Sequence, residues 1–255
     1  MFVDSHCHIN FPELAAELEN VLAAMASNGV SHALCVSVTL EAFPEVRAVA
    51  ERFANVFASA GVHPDTEAGE EPDVARLVRL ADDPRVVAIG ETGLDYYRLT
   101  GDLEWQRDRF RQHIRAAREC GKPLIIHTRE AAADTLRILR EEKAAEVGGV
   151  MHCFTETAAV AEAAMEMGFL ISFSGIVTFK NAVTLKDVAR MVPLERMLIE
   201  TDSPYLAPVP YRGKTNQPAY VRFVAEEIAR LKGVAVEEVA RVTTANFFRL
   251  FKAAA

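Results

Sequence analysis

The chain has 255 residues, half of them apolar, with a formal net charge of −8 and a pI near 5.5. That length suits one large core, and the acidic balance argues against a broad basic face for nucleic acid. It leaves room for a local phosphate site, because bound divalent cations would reverse the charge inside a pocket. No apolar run approaches the roughly 20 residues that span a bilayer, and no leader precedes Phe2. Cys7, Cys35, Cys120 and Cys153 lie far apart with no C-x-x-C pair, so no disulfide framework is expected. These features predict a reduced, cytoplasmic protein with no membrane partner.

Short apolar runs alternate with amphipathic stretches along the chain. "MFVDSH" opens it, followed by a helical pattern over Leu14 to Ser27. "HALCVSV" precedes a helix over Glu41 to Phe53, and "VFASAGVHP" precedes one over Asp73 to Ala81. "VVAIGETGLD" leads into Leu103 to Cys120, which "GKP" at 121–123 closes before "PLIIHT". A helix over Ala131 to Lys143 follows, then the runs "GVMHCF", "FLISFSG" and "MLIETDSP". Pro218 to Lys232 reads as a further helix, and short helical pieces end in "ANFFRLF". The runs are continuously apolar, the pattern of strands in a parallel sheet buried on both faces. Eight strand–helix units at roughly 30-residue spacing predict a single (β/α)8 barrel of the TIM type over residues 1–255.

Such a barrel carries its site at the carboxyl ends of its strands. The first predicted strand ends in His6-Cys7-His8, the third in His63, the fourth in Glu91. The fifth ends in His127, the sixth in His152 and the eighth in Asp202. Five of the seven histidines fall at strand ends, and only His32 and His113 do not. Singly, each is an ordinary hydrogen-bonded strand-end residue, and Asp202 reads as a helix cap. Jointly they converge on one barrel mouth.

Imidazoles and carboxylates suit a divalent transition metal such as Zn, Mn or Ni. Four histidines and two carboxylates exceed the needs of one tetrahedral ion and suit two ions, with Glu91 as the bridge. Side-chain alternation puts His6 and His8 on one face and turns Cys7 away, and it likewise sets Cys153 against His152. Both thiols are therefore expected to pack rather than ligate. His63 is expected to line the site or to orient a ligand, and Glu200 to orient one. Asp95 to Arg98, Arg129, Lys180, Tyr205, Tyr211, Arg212 and Lys214 follow strands and are candidates to hold phosphates and stack bases.

The segments "VDSHCH", "GVHP", "GETGLDYY", "PLIIHTREA", "GVMHCFT", "FSGIVTFKN" and "ETDSPYLAPVPYRGKTNQP" closely resemble the TatD family of metal-dependent deoxyribonucleases, within the amidohydrolase-like barrels. The resemblance runs from Phe2 to about Phe251. It implies a dinuclear site in which His6, His8 and Asp202 hold one ion, His127 and His152 the other, and Glu91 bridges. Related amidohydrolases often bridge with a carboxylated lysine, which "AIGE" lacks. The resemblance also implies hydrolysis of DNA from 3′ ends with Mg, Mn or Zn. On this reading Asp202 and Glu91 are the catalytic carboxylates, and Asp202 accepts a proton from the attacking water. His63, Arg129, Lys180, Tyr205 and Arg212 are the expected substrate contacts. The expected partner is a DNA strand end or single strand, and a monomer is compatible with it. The same ions would also serve a small-molecule amidohydrolase acting on amides, lactones or esters. A non-catalytic metal site is disfavoured, because closed structural zinc sites use four ligands, often thiolates.

Overall fold

The protein is described by a computed structural model covering residues 1–254. Its strands are β1 (Phe2–Cys7), β2 (Val30–Cys35), β3 (Val56–Ala60), β4 (Val86–Asp95), β5 (Leu124–Arg129), β6 (Gly149–Met151), β7 (Leu170–Phe173) and β8 (Met197–Ile199). They pair in parallel, each with its sequence neighbour. The ring closes just beyond the last strand. Asp202 N–H donates to His6 O at 2.9 Å, His8 N–H donates to Ser203 O at 2.7 Å, and Cys7 bridges Ser203 in parallel. The expected (β/α)8 barrel is thus the observed one.

The helices are α1 (Pro12–Ala15), α2 (Leu18–Ser27), α3 (Phe43–Arg52), α4 (Val74–Ala81), α5 (Glu104–Cys120), α6 (Ala132–Glu141), α7 (Ala158–Glu166), α8 (Val183–Met191), α9 (Val221–Lys232) and α10 (Val236–Leu250). Two depart from the sequence reading. The pattern over Leu14 to Ser27 is broken at Glu17, whose φ of −121° and ψ of 29° are not helical. The "short pieces" near the end are one 15-residue helix, α10. Local signals set several boundaries. Asp73 caps α4 by accepting the Arg76 N–H at 2.6 Å, and Gly121, at φ 67°, ends α5.

Side-chain alternation along the strands makes two apolar layers. Ala33, Cys35, Val56, Ala58, Leu124, Ile126 and Met151 pack outward against the helices. Val3, Leu34, Phe57, Val87, Ile125, Val150, Leu170 and Leu198 pack inside the barrel with Phe247 of α10 and Phe251 just after it. The C-terminal helix therefore plugs the floor. Above that floor come hydroxyls, with Ser5 Oγ 3.2 Å from Ser172 Oγ and donating to Ile199 O at 3.0 Å. The mouth lies above them. No helix among the described residues is long and apolar enough to cross a membrane.

Candidate metal centre

β1 delivers His6 and His8 to one face, with their Nε2 atoms 3.2 Å apart. Cys7 points the other way, fully buried, its thiol donating to Leu34 O at 3.3 Å. β4 does not stop at Glu91 but runs on to Asp95. Gly93, at φ 137°, lets it do so against β5, since a Cβ there would sit 1.9 Å from His127 O. Glu91 and His127 are thereby pressed together. Asp202 lies three residues beyond β8 in the left-handed region, at φ 55°, a conformation that aspartate tolerates better than most side chains. Asp4 helps fix it there. Its carboxylate accepts the Thr201 N–H at 2.9 Å and the Thr201 hydroxyl at 2.5 Å, tying β1 to the turn that carries Asp202.

Glu91 stands at the centre with its two oxygens serving different groups. Oε2 lies 3.3 Å from His6 Nε2 and 3.9 Å from His8 Nε2. Oε1 lies 2.9 Å from His152 Nε2, 3.2 Å from His127 Nδ1 and 3.4 Å from His63 Nε2. Asp202 Oδ1 completes the first group, 3.5 Å from His8 Nε2 and 3.7 Å from His6 Nε2. The residues His6, His8 and Glu91, the residues His6, His152 and Asp202, and the residues His63, Glu91 and His127 each bring ligand atoms within 4.8 Å of one another. The six residues expected as ligands thus come together, and His63 joins them.

Outer partners set the tautomers. His8 Nδ1–H donates to Val36 O at 3.0 Å, and His152 Nδ1–H to Glu200 Oε1 at 3.1 Å. His127 Nε2–H donates to Asp95 Oδ2 at 3.1 Å, and His63 Nδ1 pairs with Asp65. Each ring therefore turns its other nitrogen toward carboxylate oxygens. Either a ring proton or a bound divalent ion satisfies such a nitrogen–carboxylate contact, and deprotonated rings here form ligand sets for an ion. His6 Nδ1 and His152 Nε2 are buried with no hydrogen-bond partner. Imidazole and carboxylate donors, each oriented by an outer carboxylate or carbonyl, fit divalent transition ions.

The electrostatics agree. Burial pushes the Glu91 carboxyl up, but His152, His63 and His6 outweigh it and hold it well below its usual range. Burial opposes a charge on His63, yet Glu91 and Asp65 raise it to about 10. Burial likewise opposes charge on His152, and Glu91 and Glu200 raise it well above the usual value. Burial lifts Asp95, but His127 and the Arg98 and Tyr97 N–H groups bring it down to about 2. Burial and the neighbouring His152 lower His6, so the cluster combines ionised carboxylates with one imidazole that resists a proton.

The cluster opens into a cavity of about 700 Å³ lined by His63, Arg98, Arg129, Cys153 and Tyr205 among others. Cys153 is a correction to the sequence reading. β6 ends at Met151, so strand alternation no longer applies, and Cys153 turns into the cavity at φ 43°. Its N–H donates to Glu200 Oε1 at 2.6 Å and its sulfur lies 3.2 Å from Ser174 Oγ. Of the expected substrate contacts, His63, Arg129 and Tyr205 line the cavity. Lys180 is exposed and Arg212 stacks on Phe179, its guanidinium 3.6 Å from the ring centre, and neither lines it. The sequence reading missed Asp65 and the role of Asp95 as partner of His127. Alternation onward from Glu91 puts residues 93 and 95 on its face, a signal that could have found Asp95.

A parallel eight-stranded barrel with histidines and carboxylates converging at its mouth has the build of a metal-dependent hydrolase. The TatD-related DNase family matches residues 3–252. The chain therefore belongs to the TatD family. It is 54% identical over 252 residues to the uncharacterized metal-dependent hydrolase YcfH of Escherichia coli K12, covering 98% of this chain and 95% of that one. It is 31% identical over 254 residues to the 3′-5′ ssDNA/RNA exonuclease TatD of Enterobacter lignolyticus, covering 97% and 98%. Among solved structures, the TatD homologue YjjV of E. coli K12 superposes with a TM-score of 0.91 at 28% identity, covering 98% of each chain.

Proposed function

We propose that the protein is a two-metal deoxyribonuclease that hydrolyses phosphodiester bonds at the 3′ end of single-stranded DNA. The observation that carries this reading is Glu91, whose two oxygens face two separate groups of histidines. A second support is the relative named as a 3′-5′ exonuclease. In the proposal His6, His8 and Asp202 hold one divalent ion, His127 and His152 the other, and Glu91 bridges. When bound, such ions polarise the phosphoryl group and lower the pKa of a water toward ~7.

The chain's own residues do the rest. Asp202 Oδ1 faces His6 and His8 at the cavity wall, placed to accept the proton that the attacking water loses. Glu200, Asp95, Asp65 and the Val36 carbonyl lock the histidine rings, so the site is preorganised. Arg98 and Arg129 at the cavity rim are placed to hold phosphates beside the cleaved one.

The test is a nuclease assay on 3′- and 5′-labelled single strands, using metal-stripped protein reloaded with one divalent ion at a time. Amide and lactone panels run beside it. Metal-dependent shortening from the 3′ end is the expected result. Amide or lactone turnover with intact DNA would replace the reading with that of a small-molecule amidohydrolase.

A further inference from the structure

We propose that Tyr97 and Tyr205 are paired base-stacking platforms on opposite lips of the mouth, seating the unpaired nucleotides on either side of the scissile bond. This rests on the nuclease reading and adds how an acidic protein tells a single strand from a duplex.

Tyr97 follows β4 and Tyr205 follows β8, and these strands lie four apart in a ring of eight, on opposite sides. Tyr205 lines the cavity, while Tyr97 stands just outside it against Arg129, which does. Tyr97 is 57% and Tyr205 53% exposed, the two exposed aromatics among the large apolar side chains of the described residues. Exposure alone is ordinary. Their anchoring is not. The Tyr97 N–H donates to Asp95 Oδ1 at 2.9 Å, and the Tyr205 N–H donates to Asp202 O at 3.0 Å. Each tyrosine is thus fixed by its backbone to a carboxylate residue of the centre while its ring stands in water. Asn216 Nδ2 further clamps the Tyr205 carbonyl at 2.6 Å.

Each ring is backed on one side. The Arg129 guanidinium sits 3.8 Å from the Tyr97 ring centre. Phe11 meets Tyr205 edge-on, with centroids 6.3 Å apart, and stacks in turn on His8 at 4.8 Å. Arg98, which lines the cavity, pairs with Asp65 Oδ2 at 3.2 Å. Rings held from behind, with cations beside them, suit successive bases of a single strand, and such stacking tolerates any base. Bases in a duplex are already stacked and offer no free face. A second strand would also bring its phosphates against a protein of net charge −8.

The experiment compares kcat/KM of the metal-loaded enzyme on three substrates. These are a short oligothymidylate, the same oligomer with abasic residues flanking the cut bond, and a blunt hairpin. The wild type should prefer the base-bearing strand to the abasic one by about tenfold or more. Tyr97→Ala and Tyr205→Ala should each lose about five- to a hundredfold on the base-bearing strand, mainly through KM, and bring that preference toward one. Tyr97→Phe and Tyr205→Phe should keep it, because stacking needs the ring and not the hydroxyl. An unchanged preference in both alanine variants, or a hairpin cut as fast as the single strand, would overturn the platforms and leave the nuclease reading standing. Metal-loaded wild type that cuts none of the three would instead remove the nuclease reading, and the platforms with it.

Discussion

The floor and the mouth of the barrel are built from the same eight strands yet obey opposite rules. At the floor, Leu34, Phe57, Val87, Ile125 and Val150 pack against Phe247 and Phe251, and every one of them is almost wholly buried. Nothing there asks for a partner. A few residues further along the same strands, nitrogens and carboxylate oxygens face one another across about 3 to 4 Å. Left-handed φ angles fall at the mouth too, at Cys153, Asp202 and Leu206. Strain and unmet polar demand collect where chemistry is done, and the packed floor supplies the stability that tolerates them.

Five substitutions would break or sharpen that contrast. Glu91→Gln removes the charge that both ligand groups share. We expect loss of bound metal by metal analysis and a fall in kcat/KM of about 10⁴-fold or more. Asp202→Asn should keep the fold and lose about 10²- to 10⁴-fold in turnover, the range of a single general base. Near-normal hydrolysis by that variant would remove Asp202 from its role. Phe247→Ala should do the reverse, costing about 3 to 5 kcal/mol of stability in urea melts while the folded fraction keeps its kcat. A change in kcat of the folded enzyme would mean that floor and mouth are coupled.

His113 tests the wall between them. It is fully buried on α5, accepts the Val62 N–H at 3.0 Å and donates to Arg109 O at 2.8 Å, directly behind His63. Burial lowers its pKa to about 4 from the usual 6.5. Between pH 6.5 and 4 the unfolded chain therefore binds a proton that the folded one refuses, so stability falls as pH drops through that window. The loss approaches about 3 kcal/mol. Urea melts at pH 7 and 4.5 should show it, and His113→Gln should flatten the difference. The smallest effect belongs to Asp95→Asn, which loosens only the ring of His127. A loss of metal affinity of about 10- to 100-fold, read by chelator competition, is the expected size for an outer partner of a metal-binding histidine.

The clustering of these residues was legible in sequence because a barrel converts strand ends into neighbours. His6, His8, Glu91, His127, His152 and Asp202 needed only the assignment of eight strands to be placed in one mouth. What escaped lay where strands end early or run long. β6 stops at Met151, so the alternation that places Cys7 correctly fails at Cys153. β4 runs past Glu91, the end assigned to it from sequence, to Asp95, and that early stop hid Asp95 as a partner of His127. Loop residues carried no periodicity at all. Arg129 is the exception that periodicity could place, since it ends β5 two residues past His127 on the same face and lines the cavity. Of the loop residues, Tyr205 reached the cavity while Lys180 and Arg212 did not, and nothing in their local sequence separates them. The length of α10 escaped for a similar reason. Its pattern is dictated by a floor that exists only once all eight strands are in place.

The seam of the ring carries one further consequence. His6 and His8 are joined to Asp202 and Ser203 by the backbone hydrogen bonds that close the barrel. Residues of the first strand and residues just beyond the eighth must therefore meet before the cluster exists. A chain still leaving the ribosome holds the two histidines but lacks the aspartate, and it has no ring to press Glu91 between them. The cluster therefore cannot assemble until the segment that carries Asp202 and Ser203 has closed the ring.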